Sequence, residues 1–251
     1  MSLMEKKYED PWLGVVTLRK SSRARRISIR LRRDASVLVT MPFTTRFSSG
    51  MAFLDEHKSW AVLARHKVMD AAAARDAAPH NADIPGGEEL AAYVERLRKV
   101  AKMVLPARVG ELAERYGFGP VRVCIKHNSS NWGSCSVRGN VNLNLNLVRV
   151  PPLLRDYVIL HELSHTRHMD HGAAFHELLE SLCHDNLNRM LQDGDEYALQ
   201  FLGNAAQYAS ERHLTVPRMA AEGSVPAVVW PAGMPAIHRF LQNELKAYKL
   251  V

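Results

Sequence analysis

Histidines at 161 and 165, with a glutamate at 162, constrain the local structure of the chain more tightly than any other feature of its 251 residues. Residues four apart lie one above the other on an α-helix, so two imidazoles at this spacing reach one ion only if the chain there is helical. Glu162 then stands beside that ion. This is the H-E-x-x-H arrangement, in which two neutral imidazoles hold Zn²⁺ and the carboxylate takes a proton from the water the metal polarises. A third protein ligand is required. His168 lies on the same stripe as His161, but seven residues of straight helix separate them by about 10 Å, too far for one small tetrahedral ion. His171 directly precedes Gly172, where a helix can end and the chain turn back. The expected ligand set is therefore His161, His165 and His171, with Glu162 as general base and one Zn²⁺ per chain. Glu177 or Glu180, on the helical stretch that follows, is the alternative third ligand, since a carboxylate suits zinc chemically.

The chain around this stretch reads as a globular protein. Apolar residues make up 47% and charged residues 24%, enough for a core and close to ordinary values. No run of 18 apolar residues occurs, so no transmembrane helix and no membrane partner are expected. The first residues lack the apolar stretch of a secretory signal. Three widely spaced cysteines, Cys124, Cys135 and Cys183, make neither a disulfide framework nor a Cys₄ zinc site. A reducing cytoplasm is the expected location. The net charge of +7 is concentrated between Arg19 and Arg33, where eight Lys and Arg residues occur without an acid. Such a cluster can hold nucleic acid by counterion release, or can be the solvated face of a hairpin.

Local patterns divide the chain into three regions, 1–80, 81–191 and 192–251. In the first, Val15 to Leu18, Arg26 to Leu31 and Ser36 to Met41 alternate as strands of a small antiparallel sheet. A helix over about 48–78 follows, with Phe53, Leu54, His57, Trp60, Ala61 and Ala64 on one stripe, ending at Pro79. In the second, a helix over about 88–116 should break or kink at Pro106. Val121 to Ile125 is a strand. Val141 to Leu147 reads as another, leucines on one face and asparagines on the other; its edge could pair with an extended peptide. Pro151-Pro152 opens the helix carrying His161 and His165, and Ala173 to Leu191 forms the next. In the third region only a final amphipathic helix, through Ile237, Phe240, Leu241, Leu245 and Tyr248, stands out.

Several stretches together resemble a known family: Arg23 to Arg33, Trp132-Gly133-Ser134-Cys135-Ser136, Asn142 to Leu147, Asp156 to His165, then Met169-Asp170-His171 and Phe175. They look like the YgjP-like metallopeptidases, relatives of the SprT-like zincins. The resemblance runs from about Arg19 to Leu191 and implies a zincin-like catalytic domain; with the local patterns above, the expected fold is α+β, with an N-terminal antiparallel hairpin or sheet, an active-site helix and a C-terminal helical extension. It also implies His161, His165 and His171 as ligands and Glu162 as base. His168, His176 and Asn131 depart from residue types common in the family.

The expected activity is zinc-dependent hydrolysis of a peptide bond in a peptide or protein substrate. His168, Tyr157, Arg167 and Asn144 are candidate substrate or oxyanion contacts, and Cys135 is expected to be a buried small residue rather than a nucleophile. The alternative from another class is a nucleic-acid-associated binding protein with a structural or inactive metal site.

Overall fold

A computed structural model describes residues 4–32, 34–76, 78, 81–222 and 225–251. Arg33 and Pro79 therefore lie outside the described residues. The chain divides into two compact units, Met1–Ala82 and Asp83–Val251.

The first unit is a four-stranded sheet backed by two helices. Strands β1 (Glu5–Asp10), β2 (Gly14–Ser21), β3 (Ser28–Leu31) and β4 (Val37–Pro42) lie in the order β1-β2-β4-β3. The sheet is mixed rather than antiparallel as expected, because β2 and β4 run parallel. β3 takes the outer position, so β4 returns beside β2 in the same direction. The register Val16↔Val37 and Leu18↔Val39 puts both apolar rows on one buried face, which is what period-two patterning requires. The expected single helix is two, α1 (Phe47–Glu56) and α2 (Lys58–Asp76), interrupted at His57. Of the expected stripe only Leu54 and Ala61 are buried, and Trp60 is exposed. Gly50 is where α1 meets β4: a Cβ there would run into the Met41 side chain.

The second unit holds the H-E-x-x-H stretch. α3 (Glu89–Arg115) runs through Pro106 without a break; Leu105 and Val109 on either side of the proline are buried. β5 (Val123–Lys126), β6 (Gly133–Cys135) and β7 (Val141–Asn144) form a three-stranded sheet in the order β5-β7-β6. β7 is thus central and offers no free edge to a peptide. It is also shorter than expected, because Leu145–Arg149 turns into a 3₁₀ helix capped by the Asn144 side chain, which accepts from Asn146 N–H. The asparagines do not form a wet face, since Asn144 and Asn146 are as buried as the leucines.

α4 (Pro152–Ser164) carries the motif, α5 (Ala173–Gln192) follows it, and both contribute buried side chains to one core with α3. The buried Asp156 carboxylate on α4 receives Nε and Nη2 of Arg108 on α3, at 2.9 and 2.6 Å, and Nδ2 of Asn186 on α5 at 3.3 Å. One acid thereby ties three helices together.

Residues beyond α5 belong to the same unit. They form α6 (Glu196–Glu211), a hairpin of β8 (Arg218–Glu222) and β9 (Val225–Val229), and α7 (Ile237–Leu245). Phe201, Ile237, Leu241 and Leu245 enter the core that includes α4 and α5. No described helix is long and apolar enough to cross a membrane.

Candidate metal centre

The chain places the three histidines by ending α4 early. The helix stops at Ser164, with His165 as its C-cap, rather than continuing towards Gly172. Ser164 Oγ donates to Leu160 O, Thr166 Oγ1 donates to Leu163 O, and His168 N–H donates to Ser164 O. The last two satisfy carbonyls that a helix end leaves open, and beyond them the chain brings His171 back beside His161 and His165. One ligand atom from each histidine lies within 4.8 Å of the others, and Nε2 of His161 and His171 are 3.3 Å apart. Neither Glu177 nor Glu180 joins this group among the described residues.

The rings are held from behind. Phe175, fully buried, stacks on His165 at 4.5 Å and meets His161 and His171 edge-on at 5.0 and 4.8 Å. His165 Nδ1 lies 3.1 Å from the His168 carbonyl. A carbonyl only accepts, so Nδ1 carries the proton and Nε2 keeps the lone pair a metal needs. His161 is pushed down to about 3, first by burial and then by the charges of His165, His171, His238 and His176. Burial also lowers His165, opposed by its bond to His168 O. Both rings are therefore neutral at physiological pH, as metal ligation requires.

Glu162 is 5% exposed, and burial raises its carboxyl to about 8. It lies against β6: a Cβ on Gly133 would stand 2.6 Å from Glu162 Oε1. The glycine of the W-G-S-C-S stretch is thus the only residue type that lets the strand pass so close to the carboxylate. Cys135 on the same strand is raised by burial and by Glu162, which leaves a neutral thiol and no activated nucleophile.

The remaining candidates separate. Tyr157 is buried and helps line a cavity of about 400 Å³ beside His161 and His171. The His168 side chain is not part of the histidine group; its backbone serves His165. Asn144 is fully engaged, with Nδ2 donating to Asn128 O and Asn131 O and Oδ1 accepting from Asn146 N and Nδ2. No position is left on it for a ligand, so the expectation of a substrate contact there is corrected. Arg167 donates through Nη2 to Tyr116 O and Gly117 O and lies over the Phe118 ring.

The match to known proteins falls on this unit. Residues 86–192 match the YgjP-like, metallopeptidase domain family. The matched segment runs from just before α3 to the end of α5 and covers less than half of the chain. The mixed α+β architecture agrees with the zincin-like fold of a YgjP-like domain. The match points to a metal-dependent peptidase, a hydrolase acting on a protein or peptide. No curated protein and no solved structure matches the chain.

Sequence reasoning missed three contributors. Phe175 and Gly133 were legible only as parts of the family likeness, not as supports of the histidines and the glutamate. His238, which lines the cavity beside His161, lies outside the matched segment and carried no signal, because nothing near it in sequence has ligand spacing.

Proposed function

We propose that the chain is a zinc-dependent metallopeptidase in which His161, His165 and His171 hold one Zn²⁺ and Glu162 is the general base. The observation that carries this reading is the convergence of three imidazoles, two from α4 and one from the returning turn, inside the segment matched by a metallopeptidase family. The donor set fits the metal: neutral nitrogen ligands are what zinc takes in catalytic sites, where three protein ligands leave a fourth position open. When bound, zinc supplies Lewis acidity towards a peptide carbonyl and an attacking water.

The protein's own groups do the rest. A cation beside Glu162 favours its charged form and opposes the effect of burial, so the carboxylate can accept a proton from water and hand it to the leaving amide nitrogen. Phe175 and the His168 carbonyl keep the ligand rings in place. Tyr157 stands at the cavity wall as a candidate substrate contact. The three cysteines are free, in keeping with a reducing compartment such as the cytoplasm. The test is a pair of variants. Glu162→Gln should keep stoichiometric zinc and lose hydrolysis of an unfolded protein substrate, whereas His171→Ala should lose the zinc. Retained hydrolysis in Glu162→Gln removes the mechanism.

A second reading concerns the first unit. Arg23, Arg25, Arg26 and Arg30 are exposed, while Arg19 is paired with Glu5. Such a patch suits nucleic-acid phosphates, whose binding would weaken steeply with salt and on replacing Arg25 and Arg26 by alanine. Salt-independent binding excludes it.

A further inference from the structure

Among the described residues, three buried ring nitrogens have no hydrogen-bond partner: Nδ1 of His161, Nδ1 of His176 and Nε2 of His238. All three residues line the same cavity of about 400 Å³. His161 and His176 come from α4 and α5, and His238 comes from α7, beyond the family-matched segment. Orphaned polar atoms in a buried site call for a partner. The three side chains that carry them share one cavity, which is large enough for a water.

The orientation of His238 is fixed. Its Nδ1 lies 2.7 Å from Glu180 Oε2, which also receives the His238 N–H at 3.1 Å, while Glu180 Oε1 receives the Ile237 N–H at 2.8 Å. The carboxylate thus closes the N-terminus of α7 and holds the ring. The ring stacks on His176 at 5.2 Å and 20°, and its side chain is 7% exposed. With Nδ1–H given to Glu180, Nε2 carries a lone pair and is an acceptor.

We infer that Glu180 and His238 are a positioning pair for the metal centre, joined to His161 through a water in this cavity. The inference rests on the three-histidine site proposed above. The proton count is consistent. His161 Nδ1–H donates to the water oxygen, and the two water hydrogens go to His238 Nε2 and His176 Nδ1. The water then makes three hydrogen bonds, the usual number for a buried one. A metal-bound histidine needs such an acceptor on its second nitrogen to fix its tautomer and raise its basicity. His165 has the His168 carbonyl for this purpose. For His161 the acceptor comes from Glu180 and His238, so the metal site is incomplete without the C-terminal helix.

The experiment measures zinc affinity of the full chain by competition with a chromophoric chelator at fixed pH. Thermal unfolding of the metal-free proteins is followed alongside. His238→Phe keeps the ring volume and the stack on His176 but has no acceptor, and it should bind zinc about 10–100-fold more weakly than the parent. His238→Gln, whose amide oxygen can accept the same bond, should recover most of that loss. Unchanged affinity in His238→Phe overturns the inference, and so does an equal loss in both variants, which would assign the effect to packing. Should His238→Phe fail to fold, Glu180→Gln decides: it keeps an oxygen for capping α7 but weakens the hold on His238, and unchanged affinity there overturns the pair. A parent that binds no zinc overturns the metal site itself, and that result is read before any variant.

Discussion

Replacing Gly133 by alanine tests the carboxylate of Glu162 separately from the three histidines. The Cβ would stand 2.6 Å from Glu162 Oε1, 2.8 Å from Cγ and 2.9 Å from Cδ. Ordinary contact begins at 3.4 Å, so the carboxylate or the strand must move by about 0.8 Å. Gly133 is not among the glycines with positive φ, and alanine therefore meets a purely steric obstacle. The obstacle is hard to evade, because Glu162 is buried and β6 is pinned to β7 by the Gly133↔Leu143 register and the Asn144 N–H to Trp132 O bond. A misplacement of about 1 Å in a catalytic group costs on the order of 10²-fold in rate. Gly133→Ala should therefore lower kcat/KM for cleavage of an unfolded protein by roughly 10²-fold, with zinc content unchanged. The control is Gly110→Ala, in the interior of α3 with open space around it, which should keep activity and gain about 0.5–1 kcal/mol of stability. Activity of Gly133→Ala within twofold of the parent would refute the reasoning about Glu162. Loss of zinc would show instead that β6 supports the ligands.

Phe175→Ala removes a fully buried ring that touches all three histidines. It should cost about 3–5 kcal/mol in chemical denaturation and weaken zinc binding, while Phe175→Leu should do less of both. Asp156→Ala leaves Arg108 facing a buried site without its carboxylate, and should destabilise the second unit by about 3–5 kcal/mol, read from urea unfolding. In the first unit, burial pushes the Asp10 carboxyl up, but bonds from Lys58 and from the Trp12 and Leu13 amides outweigh it and bring it below the usual value. A depressed carboxyl contributes stability above the unfolded-state pKa and loses it as pH falls through the folded one. The melting of the first unit should drop on acidification below about pH 4, and Asp10→Asn should flatten that dependence; an unchanged profile removes the assignment.

What the sequence made legible follows from how local each signal is. The helical spacing of His161 and His165, the proline start of α4 and the alternation in β2 and β4 are set by neighbours a few residues away, and the structure shows the same helix and strands. The parallel pairing of β2 with β4 depends on where β3 inserts, a choice no strand encodes alone. Asn142 to Leu147 alternates as a strand would, yet Asn144 finds partners at Asn128 and Asn131, and those distant carbonyls convert the pattern into a cap. The helix end at His165 had no glycine to mark it; the Thr166 hydroxyl and the His168 amide fill carbonyls left open there. Glu180 and His238 are 58 residues apart, beyond the reach of any periodicity.

The position of α7 bears on how such a protein can diversify. One wall of the cavity beside His161 and His171 is built from His238, Arg239, Gln242 and Asn243, all outside the family-matched segment. Arg239, Gln242 and Asn243 are exposed at this wall and make no contribution to the buried core. The surface that a bound chain would meet can therefore be rewritten by substitutions in a single short helix, while the histidine spacing, the glutamate and their supporting phenylalanine stay as they are.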